Sequence, residues 1–486
     1  MPIANSNVVA STDVLQGMIE KVRNKLEDLF EMTSSVYAKI GKNVEVEVIS
    51  EKLWRIPLKL YNGGTFQYYD GNYGVMGSGS GPKIDKLTAG FFYTNMDYTF
   101  SDQTIDTTSS PGQSVVNVFQ TALKNAMEEV QVMADISLHN DGTGLLTGAA
   151  SAQTVWNTTW QTYTFGTAGD YPNSTGTAAY VGIDRLREGM AVEVWAGKSE
   201  SDNPFQVTSA TGSGTGKRVT RPGGGTVAGP LIINQIDYAN KKVYLNGVVE
   251  SAATGDYLAF PQNALTATGS QLQTMSQNWP LTTDTARHGI YYANSTVISA
   301  NPYYLGVDRN STITQLQPEV VDAGGNTFNF NYVQVLLDRL TRRRSPDVMQ
   351  GAIGIAPFAQ RAAILNSGIA ISSWFRSQSD KMIDIMPNNN SYTDTFTMCG
   401  LDFMISKRQI RNRVDIVNPS AWTRAQLFDT KFYEKGGRTI FEARDATTGG
   451  LRAGQFFKIV QAFDWACVDP GRQGVIQNLA VNTMYA

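Results

Sequence analysis

The stretch "DGNYGVMGSGSGP" (Asp70–Pro82) places five glycines in thirteen residues. Its reading separates two kinds of molecule. A glycine-rich loop that leaves a strand and opens into a helix cradles a phosphate at the helix N-terminus. Here the run meets Pro82 and then a strand-like segment, so the helix that such a site needs is not predicted. The flanks alternate instead. "WRIPLKL" (Trp54–Leu60) sets Trp54, Ile56, Leu58 and Leu60 on one side and Arg55, Pro57 and Lys59 on the other. "FFYTNMDYTF" (Phe91–Phe100) sets Phe92, Thr94, Met96, Tyr98 and Phe100 on one face. This is the period of two that belongs to strands. Pro57 cannot donate to a ladder, which predicts an edge strand or a bulge. Two long strands around a loose tip predict a projecting β-hairpin arm.

Upstream, Val14, Leu15, Met18, Ile19, Val22, Leu26, Leu29 and Phe30 recur at helical spacing, predicting an amphipathic helix over residues ~12–40. "VEVEV" (Val44–Val48) reads as a strand. Downstream, Pro111-Gly112 breaks the chain, and Val116, Phe119, Leu123, Ala126, Val130 and Met133 follow at spacings of three and four until Asp141-Gly142. That is a helix of about 25 residues, twice the usual length. Apolar residues spill beyond its stripe, as expected of a spine gripped on several sides. Residues ~150–265 lose the helical pattern. Short alternating runs between glycines and asparagines, among them "LIINQIDYANKKVYLNG" (Leu231–Gly247), predict a small inserted β-barrel or sandwich with a turn at Ala239-Asn240. Beyond ~325 the elements mix. "NYVQVLLDRLTRRR" (Asn331–Arg344) reads as a helix capped by Asn329 or Asn331, with a basic last turn that complements the helix dipole. "MQGAIGIAP" (Met349–Pro357) reads as a buried strand, "FAQRAAILNS" as the start of a second helix, and the remainder as strands ending in "GVIQNLAV" (Gly474–Val481).

Composition narrows the function. The 486 residues are 42% hydrophobic, enough to bury the cores of two or three domains. Charged residues make up 17% and the net charge is −3, which does not fit a basic nucleic-acid binder. Cys399 and Cys467 have no metal-site spacing and read as ordinary core thiols. His139 and His288 are the two histidines, with no nucleophile paired to either in the sequence. "TGSGTGKRV" (Thr211–Val219) fails as a phosphate-binding loop: Thr211 stands where the first glycine belongs, and Arg218 follows Lys217 where Ser or Thr is required. The sequons at Asn157, Asn173, Asn294 and Asn310 read as chance. Neither a secretory signal nor a membrane span is predicted, since no apolar run reaches about 18 residues. No enzyme activity, cofactor or metal is predicted.

The order of elements is distinctive: amphipathic segment, arm with a glycine-rich tip, spine helix "ALKNAMEEVQVMADISLHNDGTGLL" (Ala122–Leu146), insert "LREGMAVEVW…INQIDYANKKVYLNG", and a mixed region ending in "FDWACVDPGRQGVIQNLAV". It resembles the major capsid proteins of tailed bacteriophages, a shell fold shared with encapsulin nanocompartments. The resemblance implies an α+β fold divided into an N-terminal arm (1–45), an extended β-hairpin loop (46–105), the spine and peripheral domain (106–150), an inserted all-β module (151–265), an axial domain with loops (266–455) and return strands of the peripheral domain (456–486). It further implies self-assembly into hexamers and pentamers of an icosahedral head enclosing double-stranded DNA, with portal, scaffold and auxiliary head proteins as further partners and no membrane. Assembly contacts are expected at the arm tip (Gly71, Tyr73, Gly74, Gly77, Gly79 and Gly81) and at the basic helix end (Arg342, Arg343 and Arg344). Some members of that family crosslink subunits through a lysine and an asparagine; no motif here matches, so Lys59, Lys83 and Lys86 of the arm take no such role. The competing readings are a carbohydrate-binding tail or adhesin protein, through the β-module and the aromatics Tyr61, Phe66, Tyr68, Tyr69 and Tyr73, and a cargo-enclosing nanocompartment shell.

Overall fold

The computed structural model describes residues 40, 45–48, 54–61, 63, 81–101, 126, 129–130, 132–139, 145–148, 154–157, 160–164, 185–196, 216–217, 220–223, 229–237, 240, 242–249, 257–261, 287–294, 303–309, 316–343, 351–375, 395–444 and 451–481. They divide between two compact units, one drawn from residues 1–53, 90–136 and 424–464, the other from 54–89, 137–423 and 465–486.

The first strands are β1 (Glu45–Val48), β2 (Trp54–Tyr61), β3 (Lys83–Ala89) and β4 (Phe92–Ser101). β2 pairs antiparallel with β3, from Trp54↔Ala89 to Tyr61↔Lys83. This corrects the expected arm, whose return strand was read as Phe91–Phe100. The return strand is "KIDKLTA", and Gly90 separates it from β4. Alternation has a period of two whichever neighbour a strand takes; it marks both runs without saying which of them closes the hairpin. The amphipathic segment expected over ~12–40 lies outside the described residues except Ile40, which is buried. Of the expected spine helix, residues 126, 129–130 and 132–138 are helical, and the rest lies outside the described residues.

Residues 145–259 supply β5 (Leu145–Gly148), β6 (Thr154–Asn157), β7 (Trp160–Thr164), β8 (Ala191–Ala196), β9 (Gly216–Lys217), β10 (Thr220–Pro222), β11 (Leu231–Asp237), β12 (Lys242–Leu245), β13 (Gly247–Val249) and β14 (Tyr257–Ala259). Seven run in the order β5-β14-β8-β11-β12-β7-β6, with β9 on β8, while β10 and β13 form a separate ribbon. The β11–β12 pair closes at Asp237↔Lys242, around the predicted turn. Alternate residues Leu231, Ile233, Val243 and Leu245 are buried, as one apolar face requires.

A short helix, α1 (Ile290–Ala293), and the two-residue strands β15 (Tyr303–Tyr304) and β16 (Val307–Asp308) lead into a mixed sheet. Its strands are β17 (Glu319–Asp322), β18 (Ile353–Ala356), β19 (Thr395–Met398), β20 (Leu401–Ile405), β21 (Val414–Val417) and β25 (Gly474–Gln477), in the order β17-β25-β21-β18-β20-β19. β17 and β25 are parallel, as are β18 and β20. The predicted helices are α2 (Phe330–Arg343) and α3 (Phe358–Phe375). Asn329 caps α2, its Oδ1 accepting the Asn331 N–H at 3.0 Å. Val333, Leu336 and Leu340 recur on one face of α2 and join Val414, Ile416, Phe403 and Ile476 in a single core. Cys399, read as a core thiol, is exposed. It occupies the two-residue turn between β19 and β20 with Gly400, both at positive φ, outside the strands whose alternate residues form the core. Cys467 is buried as expected.

The other sheet joins β1, β4, β22 (Trp422–Phe432), β23 (Ile440–Arg444) and β24 (Leu451–Cys467), in the order β1-β22-β24-β23 with β4 also on β24. β4 and β24 stay in register over ten pairs, from Phe92↔Phe463 to Ser101↔Gly454. The segment 456–486, expected as one block of return strands, serves both units: the end of β24 and all of β25 belong to the second.

Candidate assembly site

The β2–β3 ribbon forms a two-stranded sheet, and no third strand joins it among the described residues. Its foot is apolar and buried, with Leu87 and Ala89 at 0% exposure. Away from the foot the ribbon opens to solvent. Arg55, Pro57, Lys59, Lys83 and Lys86 are exposed, and so is Ile84, at 65%. Pro57 lies opposite Lys86, and a missing N–H is tolerated in a strand that has one partner among the described residues. Among the described residues no third strand covers these edges, and with the exposed Ile84 they leave an apolar surface open to solvent.

A turn within the same unit holds the foot. β15 and β16 pair through Leu305 and Gly306, at φ 45° and 83°. Both central residues at positive φ make the turn that matches strand twist, and a leucine there carries steric cost. Three contacts hold it. The Leu305 carbonyl accepts the Thr88 N–H of β3 at 2.8 Å, and the Leu305 N–H donates to Tyr292 Oη at 3.1 Å. Tyr304 Oη donates to the Cys467 carbonyl at 2.8 Å and accepts the Cys467 N–H at 3.1 Å. The Tyr292 and Tyr304 rings lie 5.1 Å apart, with the Arg309 guanidinium 5.0 Å from the Tyr304 centroid. Burial pushes the Tyr304 hydroxyl well above its usual range and lowers Arg309.

A second buried cluster surrounds Tyr291. Arg185 and Arg413 stand 5.3 and 5.2 Å from its ring centroid. Arg413 grips Asp415 through Nε and Nη2, at 2.7–3.1 Å. Asn294 Nδ2 donates to the same carboxylate at 2.9 Å. Asn294 is fully buried, which fits the reading of its sequon as chance. His139 lies edge-on to Tyr291, with its Nε2 at 3.4 Å from Ser406 Oγ. Burial, then the Arg185 charge, holds His139 down at about 3. It is neutral at ordinary pH and serves as a packed polar residue. Among the described residues no group of three or more His, Cys, Asp or Glu is placed to hold a metal ion. No helix among them is long and apolar enough to cross a membrane.

Of the tip residues, Gly81 is exposed, with open space around it. Gly71, Tyr73, Gly74, Gly77 and Gly79 lie outside the described residues, as does Arg344. Arg342 is exposed in the last turn of α2. Arg343 turns back onto its own chain: Nη1 donates to the Gln317 carbonyl and to Glu319 Oε1, both at 2.9 Å. The anchoring residues Tyr292, Tyr304, Leu305 and Thr88 were not singled out in the sequence. "YYLGVD" (Tyr303–Asp308) carries only a Leu-Gly turn, a weaker hairpin signal than Asn-Gly.

No family model matches the chain, and no curated protein matches it. Solved structures similar to it include capsids of phages and of a GTA particle. It is similar to a chain of the cyanophage A-1(L) capsid asymmetric unit at TM-score 0.45 and 8% identity, over 90% of this chain and 92% of the other. It is similar to the capsid of a native GTA particle at TM-score 0.40 and 8% identity, over 92% of each chain. Against the mature capsid of bacteriophage PhiM1 the TM-score is 0.34 at 7% identity, over 90% of this chain and 86% of the other.

Proposed function

We propose that the chain is a major capsid protein, a structural subunit whose copies assemble into hexamers and pentamers of an icosahedral phage head around double-stranded DNA. The observation that carries this reading is the β2–β3 ribbon. Its foot is buried and pinned through Thr88 and Leu305, while its outer part exposes Ile84 and has no third strand on either edge among the described residues. A two-stranded ribbon on its own is marginal in water. Its natural complement is the surface of another copy, repeated around a closed ring. The order of elements in the sequence, which resembles that of tailed-phage capsid proteins, supplies the kind of assembly.

In this reading the tip, from Gly71 to Gly81, settles on the neighbouring subunit, and its glycines let it adapt to more than one local geometry. Arg342 and Arg344 extend from the basic end of α2 toward a neighbour, leaving Arg343 to its own chain. The net charge of −3 suits a shell that contains DNA without clinging to it. The protein's place is the virion, where portal, scaffold and auxiliary head proteins are its further partners. Electron microscopy of the expressed full-length chain tests the proposal. Closed particles of uniform size, alone or with a scaffold, are expected. A compact monomer or trimer that persists at high concentration would overturn it.

A further inference from the structure

Among the described residues β17 is the outermost strand of the mixed sheet, and its outer edge carries a device that the shell reading does not use. In a parallel pair, a residue turns both its N–H and its C=O to the same side. The Glu319 N–H donates to Gln473 O at 3.1 Å and the Ala323 N–H to Gln477 O at 2.9 Å. Residues 319, 321 and 323 therefore face β25, and Pro318, Val320 and Asp322 face outward. Such an edge is a template for a further strand.

Each outward position is disarmed differently. Pro318 has no N–H. The Val320 carbonyl, in the middle, accepts from Arg339 Nη1 at 2.7 Å. Asp322 Oδ1 accepts the Gly324 N–H at 2.8 Å, bending the chain into a turn through Gly324 and Gly325, both at positive φ. Asp322 Oδ2 accepts Asn478 Nδ2 at 2.9 Å, tying that turn to the residue after β25. One helical turn beyond Arg339, Arg343 fixes the start of the strand through the Gln317 carbonyl and the Glu319 carboxylate. The two arginines are four residues apart on α2, so both reach the same edge.

We propose that Arg339, seconded by Arg343, guards the β17 edge against addition of a strand from a second copy of this chain. The guanidinium occupies the central acceptor and places a positive charge where an incoming backbone would lie. The inference does not rest on the shell reading, since any exposed edge needs such a guard, although a chain gathered in many copies needs it most.

The test compares Arg339→Ala with Arg342→Ala in the full chain. Both remove one charge from the same helix end, and only the first removes the bond to Val320. Low-speed pelleting and thioflavin T fluorescence read strand-mediated aggregation, and near-UV circular dichroism reads the fold. Arg339→Ala should pellet several-fold more protein than Arg342→Ala and raise thioflavin T fluorescence, with native near-UV signal. Adding Val320→Pro, whose lost N–H points outward and is tolerated at an edge, should restore the dispersed state. Arg339→Met, which keeps the aliphatic stem without a donor, should behave as Arg339→Ala does. The proposal is overturned if Arg339→Ala and Arg339→Met stay as dispersed as Arg342→Ala, or if Val320→Pro fails to rescue. Loss of the near-UV signal in both variants would also overturn it, because a guard contributes little to the stability of the monomer.

Discussion

Gly354 lies in β18 directly opposite Phe403 of the parallel strand β20. A Cβ added there would clash with the Phe403 ring, pressing on its Cδ1, Cε1 and Cγ at far less than van der Waals distance. Phe403 is fully buried in the core that α2 covers, so it has nowhere to go. Gly354→Ala should therefore destabilise the fold by about 1–3 kcal/mol, the usual cost of overpacking. A lowered midpoint in urea unfolding would show it. Phe403→Leu in the same chain should recover part of the loss, because it vacates the overlap. His139 makes a different prediction. Its folded value of about 3 lies below the ordinary 6.5 of histidine, chiefly through burial. The unfolded chain takes up a proton that the fold refuses. This contribution to stability is complete above about pH 6.5 and is lost as the pH falls toward 3. Between pH 6.5 and 4.5 the loss is roughly 2 kcal/mol, since the slope reaches 1.36 kcal/mol per unit only once the unfolded group is mostly protonated. Replacing His139 with Gln should flatten the stability profile over that window, whatever it does to stability at pH 7. An unchanged slope would place the titration elsewhere.

At the level of elements, local pattern was legible and pairing was not. Asn329 capping α2, the four buried residues of β18, and the turn between β11 and β12 all follow from residues within one or two turns of each other. Pro57 predicted an edge strand or a bulge, and among the described residues β2 pairs with β3 alone. The misreading came where two alternating runs, "KIDKLTA" and "FFYTNMDYTF", follow one another across Gly90. Both are strands. The choice between them depends on β24, more than 350 residues further on, whose "GQFFKIVQAF" takes β4 over ten pairs. No local signal carries that information, because register is fixed by which apolar faces meet. The anchor of the ribbon escaped notice for a similar reason. Tyr292, Tyr304 and Cys467 are brought together by topology, and Leu305 holds a conformation that glycine or asparagine would have announced. Arg343 is a mixed case. Its place in a basic last turn was legible, while its engagement with Glu319 depends on where β17 lies.

For the whole molecule, the decisive prediction separates folding from assembly. The ribbon is fixed at its foot, where Leu87 and Ala89 are buried and Thr88 bonds to Leu305. The anchoring contacts found among the described residues come from Thr88, Leu305, Leu87 and Ala89. Deleting Asn72–Gly81 removes no residue from β2 or β3, and Lys83 and Tyr61 remain paired at the far end of the register. Loop-closure entropy changes slowly with length, so shortening the connection by ten residues should shift stability by less than about 1 kcal/mol. The shortened chain should accordingly keep its thermal midpoint and its near-UV signal. If the tip is the part that reaches a neighbouring copy, the same chain should fail to close particles, leaving monomers or incomplete oligomers in light scattering and electron microscopy. Normal particles from the deleted chain would remove the tip from assembly and shift attention to the outer faces of β2 and β3, where Ile84 is exposed. Unfolding of the deleted chain would show instead that the tip packs on its own subunit. The three outcomes are distinct in one experiment because the anchoring contacts seen among the described residues and the residues proposed to reach another chain are different sets.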